Sequence, residues 1–273
     1  MLKIFFICYK QILTYFCAKV NRKVKIKILF IKNPFKRLKF IFVYCIIVDD
    51  NEAKNLKFIF KRCKMNEFLF TQVLTELEDA VGRENCSVRE IDKVTHSVDY
   101  FWLSRMWADR GKRMPEADFI VSPKDAVETS KVMKVANYYK IPVTTWGGGG
   151  GTQGGAIPVC GGILLDTKRM DKIYEINEEG MYIECGAGTI YKHLEWAANE
   201  RGYATMHYPS SLTCSTVGGF LAHRGIGVVS TKYGKIDDMV LRMEIVLPNG
   251  DIIYTSPAPT STRYSSAAKA HTA

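Results

Sequence analysis

Between Trp146 and Ala156 the chain reads Gly147-Gly148-Gly149-Gly150-Gly151-Thr152-Gln153-Gly154-Gly155, with apolar runs on both sides, IPVTTW before and AIPVCGGILLD after. Glycine lets a backbone come close to a ligand, and successive bare N–H groups in such a loop form a concave nest for an anion. A flexible linker would be flanked by polar, structureless sequence, whereas this stretch joins two predicted buried strands. A Walker-type phosphate loop requires Gly-Lys-Ser/Thr, and no lysine lies between Lys140 and Lys168. A doubly wound dinucleotide loop must open a helix, yet here the chain passes through Pro158 and Gly161-Gly162 straight into a strand. A diphosphate held on bare amides fits what remains.

A second candidate region follows downstream: Pro209, Ser210, Ser211, Leu212, Thr213, Cys214, Ser215, Thr216, Val217, Gly218 and Gly219. It offers hydroxyl caps and then a glycine pair at the start of a short helix. Two such loops suit a long ligand with phosphates in its middle. The competing reading is that Gly218 and Gly219 merely allow a helix to pack closely. His193, His207 and His223 are read as packing or surface residues. No two of the eight cysteines have CxxC spacing and no Cys/His set has metal-ligand spacing, so buried free thiols and no metal are expected.

The elements that must position these loops are legible around them. In FLFTQVLTELEDAVG, Val73, Leu77 and Val81 share a helical face with Leu74 beside them, and Gly82 is placed to end the helix. The segment from Arg83 to Ala117 is left unassigned, its Tyr100, Phe101, Trp102 and Trp107 read as packing residues. Next comes a β-α-β unit. Phe119 to Val121 is a strand, Ser122 the predicted cap with Pro123 at the first helical position and Asp125 completing an S-x-x-D box. Val132, Val135, Ala136 and Tyr139 form the buried face of the helix, and Ile141 to Trp146 and Gly162 to Asp166 are further strands, paired in parallel. KIYEINEEGMYIEC predicts two strands around residues 177–180, then a helix with Ile190, Leu194, Ala197 and Ala198 on one face and Gly202 at its end. LRMEIVLPNGDIIYT predicts a hairpin turning at Asn249-Gly250. The fold class is α+β: two small α/β subdomains, a parallel βαβ unit followed by a mixed or antiparallel sheet with helices.

Charge divides the chain. Residues 1–64 hold 16 Lys+Arg against 3 Asp+Glu, leaving 22 against 25 for residues 65–273, so the formal +10 belongs to the first quarter. Nucleic-acid binding is therefore not expected of residues 65–273. The longest uncharged apolar run in the extension, Phe40 to Val48, is too short to span a membrane. The extension is read as translated upstream sequence before a start at Met65. A basic arm for a membrane surface or RNA and an ordinary extension are the alternatives.

Residues 115–256 resemble the flavin-binding domain of the FAD-linked oxidases, the vanillyl-alcohol-oxidase or PCMH-type fold, nearest its D-lactate dehydrogenase and glycolate oxidase large-subunit branch. The resemblance is carried by IPVTTWGGGGGTQGGAIP, GILLDTKRMDKI, ECGAGTIYKHLEWAANERGY, STVGGFLA and KYGKIDDMVLRMEIVLPNGDII, in that order. It implies non-covalent FAD with its pyrophosphate on Gly147–Gly155, and further flavin contacts from Pro209, Ser210 and Ser211 and from Ser215, Thr216, Gly218 and Gly219. No histidine lies in the first loop, so a covalent histidyl link is not expected. Trp146 stands where arginine is common, Gly150 and Thr152 where Thr and Leu are usual, and Phe220 and Arg224 where asparagine is frequent; Ile226 interrupts a usual glycine pair.

The resemblance implies an oxidoreductase acting on a small 2-hydroxy acid or alcohol by hydride transfer to the flavin. It also implies domains at 1–64 (extension), 65–114 (helical segment), 115–256 (FAD-binding) and 257–273 (tail). Relatives continue into a flavin-contacting Gly-Ser-Glu-Gly-Thr-Leu-Gly-like segment and a cap carrying catalytic His and Arg. The chain is accordingly read as truncated near Ser266, with little turnover and no catalytic residue of its own, or as a subunit whose partner supplies the cap. A cytoplasmic location is expected, with peripheral membrane attachment left open. Valine at Gly148 or Gly149 is expected to abolish flavin binding by filling the space the phosphates need.

Overall fold

The computed structural model describes residues 65–255 and the backbone of residues 270–272. The extension 1–64 and most of the tail lie outside the described residues. Helix α1 (Glu67–Val81) starts where the Asn66 side chain accepts from the Leu69 amide at 2.8 Å, and stops at Gly82, whose φ of 88° suits glycine. The span read as unassigned contains a two-residue strand β1 (Cys86–Ser87) and two short helices, α2 (Glu90–Thr95) and α3 (Trp102–Asp109).

Strand β2 (Phe119–Val121), helix α4 (Ala126–Tyr139), β3 (Val143–Trp146) and β4 (Ile163–Asp166) form the βαβ unit and its extension. The cap of α4 is Asp125, not Ser122: its carboxylate accepts from the Glu128 amide at 2.8 Å, and Glu128 in turn accepts from the Lys124 amide at 2.9 Å. Pro123 therefore precedes the helix. The cap lies three residues later than the S-x-x-D pattern placed it, and Glu128 reaches back to the amide of Lys124, one residue before the cap, not to that of the cap itself.

The sheet order is β1-β2-β4-β3, with β1 antiparallel to β2 and the other pairs parallel. The helix crossover from β2 thus skips a position that β4 fills. Adjacent parallel strands need a crossover of a dozen or so residues, and between β3 and β4 that crossover is the glycine loop itself. Alternation along the strands then splits the core. Phe119, Val121, Ile163 and Leu165 face Val73, Leu77, Val132 and Ala136 of the two helices. Ile120 and Leu164 face the other way, against Ala117, Trp146 and Ala156, so the second face is closed by the loop.

The second subdomain begins with the hairpin β5 (Ile173–Asn177) and β6 (Tyr182–Cys185), whose turn is held by Gly180 N–H donating to Asn177 Oδ1 at 2.6 Å. Helices α5 (Tyr191–Asn199) and α6 (Val217–Ala222) pack on it through Tyr191, Leu194, Leu212 and Ile236, joined by Ile183, Val217 and Phe220. Strands β7 (Glu244–Val246) and β8 (Ile252–Thr255) pair antiparallel around Asn249-Gly250, and β9 (Ala270–Thr272) adds to β8. Ser130 of α4 donates to the Gly250 carbonyl, tying this hairpin to the first helix layer.

Candidate functional site

The first loop leaves β3 at Trp146 and enters β4 at Ile163, at the C-terminal end of one parallel strand and the N-terminal end of its neighbour. No amide N–H from Gly148 to Gly155 donates to another group among the described residues. A run of undonated amides on a loop over a hydrophobic sheet face is what an anion nest requires. The loop's glycines, however, do different work. A Cβ on Gly147 would overlap Thr216 Oγ1, and one on Gly148 would overlap the Cys214 carbonyl oxygen. Gly149, at φ 63°, would press a Cβ to within 2.6 Å of the Trp146 ring. A Cβ on Gly150 would stand 3.3 Å from Cys214 Sγ, whereas one on Gly151 or Gly155 would meet nothing within 4 Å.

The two glycine regions are therefore in contact, because Gly147, Gly148 and Gly150 lie against Thr216 and Cys214 of the second loop. This changes the expectation for valine at Gly148 or Gly149: the added atoms collide with protein backbone and with an indole, so they would displace the loops whatever the ligand. Gly151 and Gly155 are the positions where open space lies beside the undonated amides.

The second loop is held rigidly. Ser211 O accepts from the Cys214 and Ser215 amides at 3.0 and 2.9 Å, and the Ser211 and Ser215 hydroxyls bond at 2.7 Å. Tyr191 N–H donates to Ser215 O and Val217 N–H to Thr189 O, both at 2.9 Å, stitching the loop to the approach of α5. Thr216, fully buried, caps α6 by accepting from Gly219 N–H at 3.2 Å. Gly218 belongs to packing: its Cβ would lie 2.7 Å from that of Ala187. Ser210 and Thr213 remain exposed, and Pro209 is buried.

Two groups that sequence reasoning missed lie beneath the first loop. The His96 ring stands edge-on to Trp146 at 5.1 Å, and its Nε2 lies 3.5 Å from Asp166 Oδ2. Burial would raise the Asp166 carboxyl, but His96 and then Lys168, whose backbone and ammonium both reach it, hold it below its ordinary value. The separation of residues 96 and 166 carries no motif. The nearby cleft of about 240 Å³ is no second anion site, since its Arg89 pairs with Asp92 and its Arg169 with Glu128 and the Ser122 carbonyl. Trp146, standing where arginine is common in the family it resembles, is buried as the cover of the sheet's loop-side face.

Of the histidines set aside in the sequence, His193 and His223 are exposed, while His207 is 1% exposed between Tyr191 and Phe220 with neither ring nitrogen hydrogen-bonded. Burial lowers its pKa. The thiols differ from the expectation of uniform burial. Burial lifts Cys86 to about 12, with Glu78 adding to the effect, and lifts Cys185 to about 11, while Cys160 and Cys214 are exposed in the two loops.

Residues 117–256 match the family described as FAD binding domain. A D-lactate dehydrogenase of Archaeoglobus fulgidus is 39% identical over 52% of this chain and 31% of its own length. The glycolate oxidase subunit GlcD of Bacillus subtilis is 34% identical over 67% of this chain and 37% of its own. Among solved structures, alkyldihydroxyacetonephosphate synthase superposes with TM-score 0.63 at 25% identity, over 68% of this chain and 34% of that one. p-Cresol methylhydroxylase superposes with TM-score 0.60 at 23% identity, over 70% and 36%, a likeness of fold. The chain spans about a third of the length of these curated relatives.

Proposed function

The chain belongs to the FAD binding domain family, with the PCMH-type fold of the FAD-linked oxidoreductases, and from that premise we propose that its two glycine loops hold FAD non-covalently in the oxidation of a small 2-hydroxy acid or alcohol. The observation that carries the placement is the undonated amide run from Gly148 to Gly155, interrupted by open positions at Gly151 and Gly155. On this reading those N–H groups take the diphosphate. Thr152 and Gln153, exposed beside them, are within the same loop. Gly154, at φ 75°, holds a left-handed backbone that glycine adopts without strain. The second loop, with Pro209, Ser210, Ser211, Ser215, Thr216 and Gly219, borders the first and meets the remainder of the cofactor.

When bound, FAD supplies the hydride acceptor, its N5. What this chain contributes is placement: rigid amides that need no reorganisation to meet the phosphates, and a dry sheet face beneath them. Non-covalent binding is supported by the absence of histidine from Gly147–Gly155. The substrate class rests on the dehydrogenase and oxidase names of the relatives. A second reading, in which this chain is a flavin-binding subunit completed by another polypeptide, is favoured by one observation, that one relative is itself named a subunit. Among the described residues no helix is long and apolar enough to cross a membrane.

The test is direct. The full chain is incubated with FAD, freed of unbound cofactor by gel filtration and scanned in the visible. A retained flavin band is expected, and a colourless protein overturns the reading. Dye reduction with D-lactate or glycolate supports the catalytic form of the proposal. A flavin-loaded chain inert to both supports the subunit form.

A further inference from the structure

Asp99 is 2% exposed, lies outside the matched family segment and has no role in the site as built so far. Its Oδ1 accepts from the Phe101 amide at 3.0 Å, and the Ser104 hydroxyl lies 3.4 Å away on the first turn of α3. The turn it closes puts two groups against the first glycine loop. Tyr100 N–H donates to the Gly149 carbonyl at 2.9 Å. The edge of the Phe101 ring lies 3.1 Å from where a Cβ on Gly154 would stand. Gly149 and Gly154 both have positive φ, 63° and 75°, the two such positions within the run Gly147–Gly155. The Tyr100 and Trp102 side chains are 63% and 66% exposed and take no part.

We propose that Asp99 is a positioning residue for the cofactor loop: by locking the 99–101 turn it fixes Gly149 and Gly154, the two positive-φ glycines of the run, and so aims the intervening amides. The inference rests on the FAD reading of that loop. The chemistry is ordinary. A loop rich in glycine loses much conformational entropy on ordering, and a brace that orders it before the ligand arrives removes that cost from binding. A buried carboxylate is costly to keep, and the Phe101 amide it satisfies is the link to the loop.

The experiment measures FAD affinity of the full chain by quenching of flavin fluorescence, with thermal unfolding of the apoprotein alongside, for wild type, Asp99→Asn, Asp99→Ala, Phe101→Leu and Leu77→Ala. Asp99→Asn keeps an acceptor for the Phe101 amide and is expected within about threefold of wild type; Asp99→Ala leaves that amide unpaired and is expected to bind about tenfold or more weakly. Leu77→Ala, in the helix-side core, is expected to lower the unfolding temperature without changing FAD affinity. Wild-type affinity in folded Asp99→Ala overturns the inference. Should Asp99→Ala not fold, folded Phe101→Leu decides: weakened binding supports the inference, unchanged binding overturns it. A wild-type chain that binds no FAD fails the cofactor reading itself, an outcome distinct from a wild type that binds and an alanine variant that binds equally.

Discussion

Replacing Gly151 by valine separates two explanations for a run of glycines: that ligand phosphates need the space, or that neighbouring protein does. The structure places no atom within 4 Å of a Cβ at Gly151, and its φ is not in the left-handed region. The apoprotein should therefore tolerate the change; restricting the unfolded chain leaves stability unchanged or raised by about 0.5 kcal/mol. Gly148→Ala is the contrasting control, because its Cβ would overlap the Cys214 carbonyl and force the two loops apart, an overpacking cost of about 1–3 kcal/mol. If the undonated amides around residue 151 hold a diphosphate, valine there denies at least one charge-assisted hydrogen bond. Such a bond contributes about 1.5–3 kcal/mol, or about 10- to 100-fold in affinity. The assay is FAD titration by fluorescence quenching beside thermal unfolding of both apo variants. Gly151→Val is expected to unfold like wild type yet bind FAD at least tenfold more weakly. Wild-type affinity in a normally stable Gly151→Val protein would refute the nest, and leave Gly147, Gly148 and Gly149 explained by packing against Thr216, Cys214 and Trp146 alone.

Two further outcomes follow from side chains away from the amides. His207 is buried without a hydrogen-bond partner and its pKa is lowered by that burial, so the unfolded state binds the proton more readily. The stability from keeping it neutral is full above its unfolded value of about 6.5 and is lost as pH falls below that toward the depressed folded value. Urea unfolding from about pH 8 to about pH 5.5 should show this decline, and His207→Phe should flatten that part of it. Gly218→Ala should destabilise the fold by about 1–3 kcal/mol, since its Cβ would stand 2.7 Å from Ala187 Cβ and 3.0 Å from its carbonyl oxygen. Adding Ala187→Gly should recover part of the loss in thermal unfolding, as it removes the nearer contact; no recovery would mean that the carbonyl dominates.

Much of this molecule is written locally. Apolar runs bounded by Pro and Gly announce the three short parallel strands, Gly82 and Gly202 mark helix ends, and Asn249-Gly250 marks a hairpin, because each of these depends on φ, ψ and burial within a few residues. The flanking strands likewise mark the glycine run as the connection between two paired strands and not a tether. Local signals were less reliable at the α4 cap, where Ser122 and Asp125 both suit the role and only the path of the chain after β2 selects Asp125. Nothing in the sequence shows that β4 inserts between β2 and β3, or that the two glycine regions touch. Nor does any motif mark the unassigned stretch before residue 117 as the brace of the first loop, through Tyr100, Phe101 and the His96–Trp146 contact. These relations join segments far apart in the chain. Which of them meet depends on closing long loops around a shared core, a global balance of burial against chain entropy that no short stretch encodes. The same glycine letter consequently means a left-handed backbone beside Phe101 at Gly154, a packing gap at Gly148 and open space at Gly151, and the distinction comes from the neighbours that folding brings to each.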